Sequence, residues 1–394
     1  MGGTQAFDAE VAVVGLGAWG SSTLWRLATR GVDVIGIERF GIGHEMGSTH
    51  GATRLFRVAC LEHPGLVPLA QRSRDLWREL ETVSGSSLLD QVGAIMIGPK
   101  DGSVIAGTLE AASAHGLAAH ELPLAEVAER FPQFADVDPT HVGVWDPDAG
   151  IARPEDGVRA AVGAARSLGA RVFADTRVTD VELVPGGVVL HSAAASWRVR
   201  QVVVTAGSWL GKLVPGLPLQ ARRTPMLWFR PPATDTSFDA PALPAFIQEI
   251  DDSMAIWGHG ATLGHGVKIG MQDVGRNFTD CDPDTVDRAI SWERDVAELS
   301  ALVARTFPGL DPRPDSVVPC MVTNSPDLQF LLGRPGGDSR LVVGGGCSGH
   351  GFKHATGIGD ALAAITVGDR PVSDLAFTDP DRDFVARPSV LAHR

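Results

Sequence analysis

The chain has 394 residues, 44% hydrophobic and 21% charged, which excludes a disordered protein or a single small domain and suggests two or three units with real cores. A net charge of −13, with no run of five or six basic residues, argues against nucleic acid or an anionic membrane as partner. The longest apolar runs, such as Val202–Ala206, fall far short of the roughly 20 residues of a transmembrane helix, and no signal-peptide pattern opens the chain, so the expected location is the cytoplasm.

From Glu10 the sequence Glu-Val-Ala-Val-Val-Gly-Leu-Gly-Ala-Trp-Gly is a β-branched run that stops at glycine and opens into an apolar-periodic stretch up to Arg30. This predicts a strand, a tight turn and a helix. Gly31 suits the end of that helix, and Val34–Ile37 makes a second strand closed by Glu38, completing a βαβ unit. Helical spacing returns over Leu66–Leu80, and a strand is expected at Val92–Ile97. A helix with a proline start follows at Pro154–Leu168, then short strands at Arg171–Ala174, Val188–His191 and Gln201–Thr205. From Pro215 to Pro314 the composition turns to Pro, Trp and isolated strands, including Met254–Gly258 and Gly266–Gly270, with a helix expected over Pro283–Thr306. The last part returns to the pattern of the first, with a strand at Leu341–Val343, a glycine-rich turn at Gly344–Gly351 and a helix from Thr356 to Val367. No internal repeat or low-complexity tract is visible.

Gly15-Leu16-Gly17-Ala18-Trp19-Gly20 has the GxGxxG spacing of a dinucleotide fingerprint. Gly15 makes the turn, Gly17 admits a pyrophosphate to the helix amides, and Gly20 lets helix and strand approach. Glu38 stands where a carboxylate holds ribose hydroxyls, which disfavours NADP and leaves FAD and NAD open. The predicted fold is therefore α/β. A discontinuous Rossmann-like domain spans residues 1–88, 148–215 and 316–394, and a substrate domain with a mixed or antiparallel sheet spans 89–147 and 216–315. Two further stretches combine small residues with cations: Gly47-Ser48-Thr49-His50-Gly51-Ala52-Thr53-Arg54-Leu55-Phe56-Arg57 and Gly344-Gly345-Gly346-Cys347-Ser348-Gly349-His350-Gly351-Phe352-Lys353. Both let backbone and positive charge approach a planar or anionic ligand. Cys60, Cys281, Cys320 and Cys347 lie far apart without a CxxC pair, so no zinc site is indicated, and the absence of Tyr removes the phenol as an acid or base.

With these motifs the chain resembles the monomeric sarcosine oxidase and N-methyltryptophan oxidase family of the D-amino-acid oxidase superfamily, over nearly its whole length. The resemblance implies that the nucleotide is FAD, contacted by Gly15, Gly17, Gly20, Glu38, Ser48, Thr49, His50, Thr53, Arg54, Val178, Gly349, Gly351 and Lys353. It further implies a thioether from the flavin ring to Cys320, which lies in Pro319-Cys320-Met321-Val322-Thr323-Asn324-Ser325-Pro326-Asp327. Lys268, in Gly266-Val267-Lys268-Ile269-Gly270, matches the lysine that promotes reaction with molecular oxygen. Arg57 and Lys353 match the groups that bind a substrate carboxylate. A monomer without metal, acting on a small amine or imino acid, is implied as well.

The departures from the family pattern concern the substrate. Trp257 replaces its aromatic Tyr and Gln272 its active-site His, while Met271 and His259 also alter the pocket, so the amine is not transferable by resemblance. The leading expectation is an oxidase of a carboxylate-bearing secondary amine that yields hydrogen peroxide. The alternatives are a flavin dehydrogenase, a primary-amine or D-amino-acid oxidase, an NAD-linked dehydrogenase, and a flavin-binding protein without catalysis. His259, His265 and His354 are candidates for local acid or base roles.

Overall fold

A computed structural model describes residues 6–251, 254–273 and 279–386. The run Ala9–Val14, buried at every position but Glu10, lies between Val34–Ile37 and Ser196–Val204, parallel to both. A strand covered on both faces needs apolar residues throughout, and this is what the run provides. Arg171–Phe173 and Leu341–Gly345 extend the parallel set, and Val178–Val184, Gly187–Ser192 and Leu331–Gly333 add antiparallel edges to give eight strands. The helix Ala18–Thr29 leaves the first strand buried from Ala18 to Ala28, and Gly31 follows it with φ +74°, the left-handed exit its position suggested.

A second sheet of nine strands carries Ala94–Gly98, His120–Leu122, Val142–Asp146, Gln220–Phe229, Ala245–Asp251, Met254–His259, Val267–Asp273, Thr279–Asp280 and Ser316–Asn324. It is antiparallel apart from the pairing of Ala245–Asp251 with Ala94–Gly98. One face buries Phe229, Phe246, Ile256 and Ile269 with Leu299, Val303 and Phe307 around the helix Ala297–Thr306. A small third sheet joins Arg54–Phe56, Gly150–Ala152 and Leu89–Asp90. The α/β class, with its parallel nucleotide-type sheet and a second mixed sheet, is as the sequence predicted.

Two expectations are corrected. The helix expected over Pro283–Thr306 is only Trp292–Asp295 and Ala297–Thr306. Ahead of it the carboxylates of Asp282 and Asp284 are engaged by Lys212 and Arg39, and the Ser291 hydroxyl caps the first turn by accepting from the Arg294 amide at 3.3 Å. The strand Ser316–Asn324, placed by sequence with the nucleotide-binding segments, pairs instead with Gln220–Phe229 from Gln220 opposite Asn324 to Trp228 opposite Ser316. Long-range pairing of this kind has no local sequence signal.

Asp360, on the helix Ala355–Val367, joins the helices of the first half. Its Oδ1 accepts from Arg26 Nε at 3.0 Å and Arg30 Nη2 at 2.8 Å, and its Oδ2 from Arg72 Nε at 3.0 Å. Burial alone would raise this carboxyl, but the hydrogen bond from Arg30 and the charge of Arg26 hold it below its ordinary 3.8. With a depressed folded value, the contribution of Asp360 is present at neutral pH and is lost as pH falls below that ordinary value. Asp360→Asn should therefore cost on the order of 2 kcal/mol, because it removes the charged acceptor shared by Arg26, Arg30 and Arg72 while Arg26 keeps Glu79 as a partner. Urea unfolding at pH 7 measures this, and the difference from the parent should shrink toward pH 3.

Candidate active site

The turn after Ala9–Val14 shows what each fingerprint glycine does. Gly15 has φ +88°, and a Cβ there would stand 2.8 Å from the Thr205 carbonyl oxygen and the Ala206 Cα. At Gly20 a Cβ would meet the Gly15 carbonyl oxygen at 1.8 Å, so this glycine is required for helix-on-strand contact. Around Gly17 the nearest atom is Thr49 Oγ1, at 3.5 Å from such a Cβ, and the helix it opens has no acid in its first turn. That opening leaves room for an anion at a helix N-terminus. Glu38 is held at the end of its strand by the amides of Leu16 at 2.7 Å and Phe40 at 3.0 Å, leaving lone pairs for ribose hydroxyls.

These groups line a cleft of about 280 Å³. Of the predicted cofactor contacts, Gly15, Gly17, Glu38, Ser48, Thr49, Arg54, Val178, Cys320, Gly349 and Gly351 border it. Gly20, His50, Thr53 and Lys353 do not border the cleft. Gly20 acts through packing, Thr53 is a hydrogen-bond hub, and Lys353 borders a second, smaller cavity. His50 is buried, its Nε2 without a partner among the described residues; burial and the neighbouring Arg54 push it down to about 3, so it is neutral. A cleft that brings together a helix N-terminus open to an anion, a carboxylate able to accept from ribose hydroxyls and the free thiol of Cys320 fits an FAD.

The second cavity, of about 180 Å³, brings together Arg57, Trp257, Gln272 and Lys353, the predicted substrate contacts. Arg54 and Cys320 border both spaces, so the walls meet at the thiol. Trp257 and Gly270 are cross-strand partners, and a Cβ at Gly270 would stand 2.3 Å from the indole. This glycine of the lysine motif makes room for the Trp257 ring.

Sequence reasoning missed Glu62. Its Oε1 accepts from Arg57 Nη2 at 2.8 Å and from Lys353 Nζ at 2.6 Å, with all three side chains buried. Burial by itself would raise this carboxyl, but Lys353 and Arg57 hold it well below the carboxylate range. Burial lowers Lys353 and Glu62 opposes that shift. The only sequence signal was indirect: two cations predicted to share one buried site require a counter-charge.

Lys268 is 1% exposed, not the solvated lysine an ordinary surface strand would carry. Its ammonium donates to the carbonyls of Gly51 at 2.8 Å and Thr53 at 2.9 Å and lies 4.9 Å from the centre of the Trp228 ring. Burial first, then Arg54, lower its proton affinity well below the usual lysine value. The Cys320 thiol is raised by burial, with Arg54 and Lys268 opposing. Arg54 donates to the carbonyls of Thr53 at 2.8 Å and Ser48 at 3.0 Å.

Among the histidines, His265 is exposed, while His259 and His354 are buried and shifted strongly toward the neutral form. His259 does not border the second cavity but bonds to Thr53. Cys347 borders the larger cleft, whereas burial pushes Cys60 up to about 12. Among the described residues no cluster of metal-binding side chains occurs, and no helix is long and apolar enough to cross a membrane.

Comparison with known proteins finds relatives over nearly the whole chain. A monomeric sarcosine oxidase of Bacillus sp. (strain B-0618) is 31% identical over 379 residues, covering 95% of this chain and 96% of that protein. An N-methyl-L-tryptophan oxidase of Yersinia pestis (strain Pestoides F) is 28% identical over 372 residues, covering 92% and 96%. The solved structure of NikD, described as an unusual amino acid oxidase, has the same fold, with a TM-score of 0.81 at 23% identity over 96% of this chain and 99% of that one. The sequence profile of the FAD dependent oxidoreductases, named DAO, matches residues 10–365, and the chain belongs to that family.

Proposed function

We propose that the protein is an oxidase of a secondary amine bearing a carboxylate, an N-methyl or cyclic imino acid, that passes its electrons to molecular oxygen and forms hydrogen peroxide. One observation carries this reading: Cys320 and Arg54 stand on the common wall of the FAD-type cleft and of a cavity that holds two buried cations. In this reading the eight-stranded half holds the cofactor, and of the substrate contacts Trp257 and Gln272 come from the nine-stranded sheet while Arg57 and Lys353 come from outside it. The relatives named for sarcosine and N-methyl-L-tryptophan oxidation support the amine class.

FAD, when bound, supplies the two-electron acceptor and the ring chemistry. Arg57, Lys353 and Glu62 together carry one net positive charge, so the trio attracts an anion even while Glu62 is ionised. A substrate carboxylate takes donors from Arg57 and Lys353, and this fixes the carbon next to nitrogen at the wall shared with Cys320. The amine must be neutral to release a hydride equivalent, and the surrounding cations disfavour its ammonium form. No titrating protein base is needed, in keeping with the neutral histidines around the site. The resulting imine is hydrolysed to a carbonyl compound and an amine. Lys268 holds fixed charge in a dry position where superoxide character develops. Trp257 and Gln272 shape the rest of the cavity and set which amine fits.

Cys320 is the attachment point for the flavin in this reading. Acid precipitation of the parent should carry the yellow colour into the pellet, and Cys320→Ala should release it to the supernatant; colour retained in the pellet of that variant refutes the attachment. Lys268→Met should be reduced by substrate at the parent rate without air, then reoxidise about 10²–10³-fold more slowly, as stopped-flow absorbance reads directly. Arg57→Met should raise KM for carboxylated amines by about ten- to hundredfold, the loss of one charged hydrogen bond, with little change in kcat. An unchanged KM removes Arg57 from substrate binding.

A further inference from the structure

We infer that His259 is a positioning residue for the Lys268 ammonium, acting through Thr53. The inference rests on the reading of Lys268 as the group at which oxygen is reduced.

His259 and Lys268 are direct partners on neighbouring antiparallel strands, and Trp228 is the partner of Lys268 on the next strand. The three side chains therefore form a row on one face of the nine-stranded sheet. Thr53 lies against this row and is held by both members of the first pair. His259 Nε2 is 2.7 Å from the Thr53 hydroxyl, and Lys268 Nζ is 2.9 Å from the Thr53 carbonyl. His259 Nδ1 is 2.7 Å from the Gly260 carbonyl oxygen, which can only accept, so the ring proton is on Nδ1. Nε2 is then a bare acceptor, and the Thr53 hydroxyl donates to it. Burial and the nearby lysine push the His259 ring down to about 3, which preserves this neutral tautomer across the working pH range.

An ammonium has three N–H bonds. Two of those on Lys268 go to the carbonyls of Gly51 and Thr53, so the direction of the third is set by the turn Gly51–Thr53. That turn is unusual. Gly51 has φ +98°, which glycine takes readily, and Ala52 has φ +61°, which a residue with a side chain keeps only when neighbours determine it. On one side Glu155 Oε1 accepts from the amides of Gly51 at 2.6 Å and Ala52 at 3.1 Å. On the other side the tie is His259. The Thr53 carbonyl also accepts from Arg54, but Arg54 keeps a second tie to the Ser48 carbonyl at 3.0 Å, so a shift of Thr53 falls mainly on Lys268. The groups that bind the substrate carboxylate in the proposed function, Arg57 and Lys353 with Glu62, are held independently of this turn.

The test separates the two half-reactions in the flavin-loaded enzyme. His259→Phe fills the same space without an acceptor for Thr53. It should be reduced by substrate at the parent rate and reoxidised by oxygen about ten- to hundredfold more slowly, the size of effect expected when a reacting group is misplaced. Thr53→Val should reproduce that defect, and the double variant should be no slower than either single one. Thermal unfolding gives a reading independent of activity: the loss in Tm of the double variant should match the larger single loss rather than the sum. His259→Gln, which keeps an acceptor for Thr53 and a donor for Gly260, should recover most of the reoxidation rate. If His259→Phe does not fold, Thr53→Ser against Thr53→Val poses the same question, since only serine keeps the hydroxyl. Parent-like reoxidation in His259→Phe beside slow reoxidation in Lys268→Met overturns the positioning role and leaves the oxygen reading intact. Parent-like reoxidation in Lys268→Met overturns both.

Discussion

Burying positive charge between two sheets is the constraint on which the rest of this site depends. Arg54 stands where the larger cleft meets the smaller cavity, Arg57 and Lys353 line that cavity, and Lys268 is buried against the turn Gly51–Thr53, and an unpaired buried ion costs several kcal/mol even after relaxation. Each is compensated, and nearly every compensating group comes from one stretch of chain. Ser48, Gly51 and Thr53 supply carbonyl oxygens, Glu62 supplies the carboxylate, and Arg54 and Arg57 belong to the same stretch. Residues 48–62 are thus a counter-ion assembly as much as a cofactor loop.

Such a segment must be held more firmly than an ordinary surface loop, because carbonyl dipoles help a cation only when aimed at it. Arg54–Phe56 pairs with Gly150–Ala152 in the small third sheet, and Glu155, near the start of the helix Pro154–Ser167, ties the turn before it. The segment therefore takes its conformation from the middle of the chain, while its charged partners come from the nine-stranded sheet and from the turn after Leu341–Gly345. Alternation along the strands of that sheet explains why its contribution is so concentrated. Trp228, Lys268 and His259 are opposite one another across three neighbouring strands, so one face delivers all three.

Features legible in the sequence are those governed by local backbone demands. Gly15 and Gly20 each have a separate steric reason while Gly17 leaves open room at the helix start, and the parallel strands are continuous apolar runs because both faces are covered. Arg57, Trp257, Gln272 and Lys353 were legible through motif resemblance, and they line one cavity. Glu62 was not, because its role comes from two cations that reach it from five and 291 residues away. Trp228 and the pairing of Ser316–Asn324 were hidden for the same reason: strand registry is a tertiary property. The helix expected over Pro283–Thr306 failed where aspartates that could have served the first turn are drawn instead to Lys212 and Arg39.

The sign of the local charge also bears on the choice of substrate under the proposed function. The chain as a whole is acidic, at −13, so long-range attraction does not bring an anionic substrate in, and at physiological ionic strength charges beyond about 8 Å are largely screened. Discrimination must arise inside the cavity, where Glu62 cancels one of the two cations beside it. A zwitterionic amino acid meets a site whose remaining charge attracts its carboxylate and repels its ammonium. Binding of the carboxylate and release of the amine proton are therefore favoured by the same residues. A simple amine without a carboxylate would meet only the repulsion, since it brings no anion to compete with Glu62 for Arg57 and Lys353. Selectivity for the acid and activation of the amine are in this way two consequences of one incompletely neutralised charge cluster.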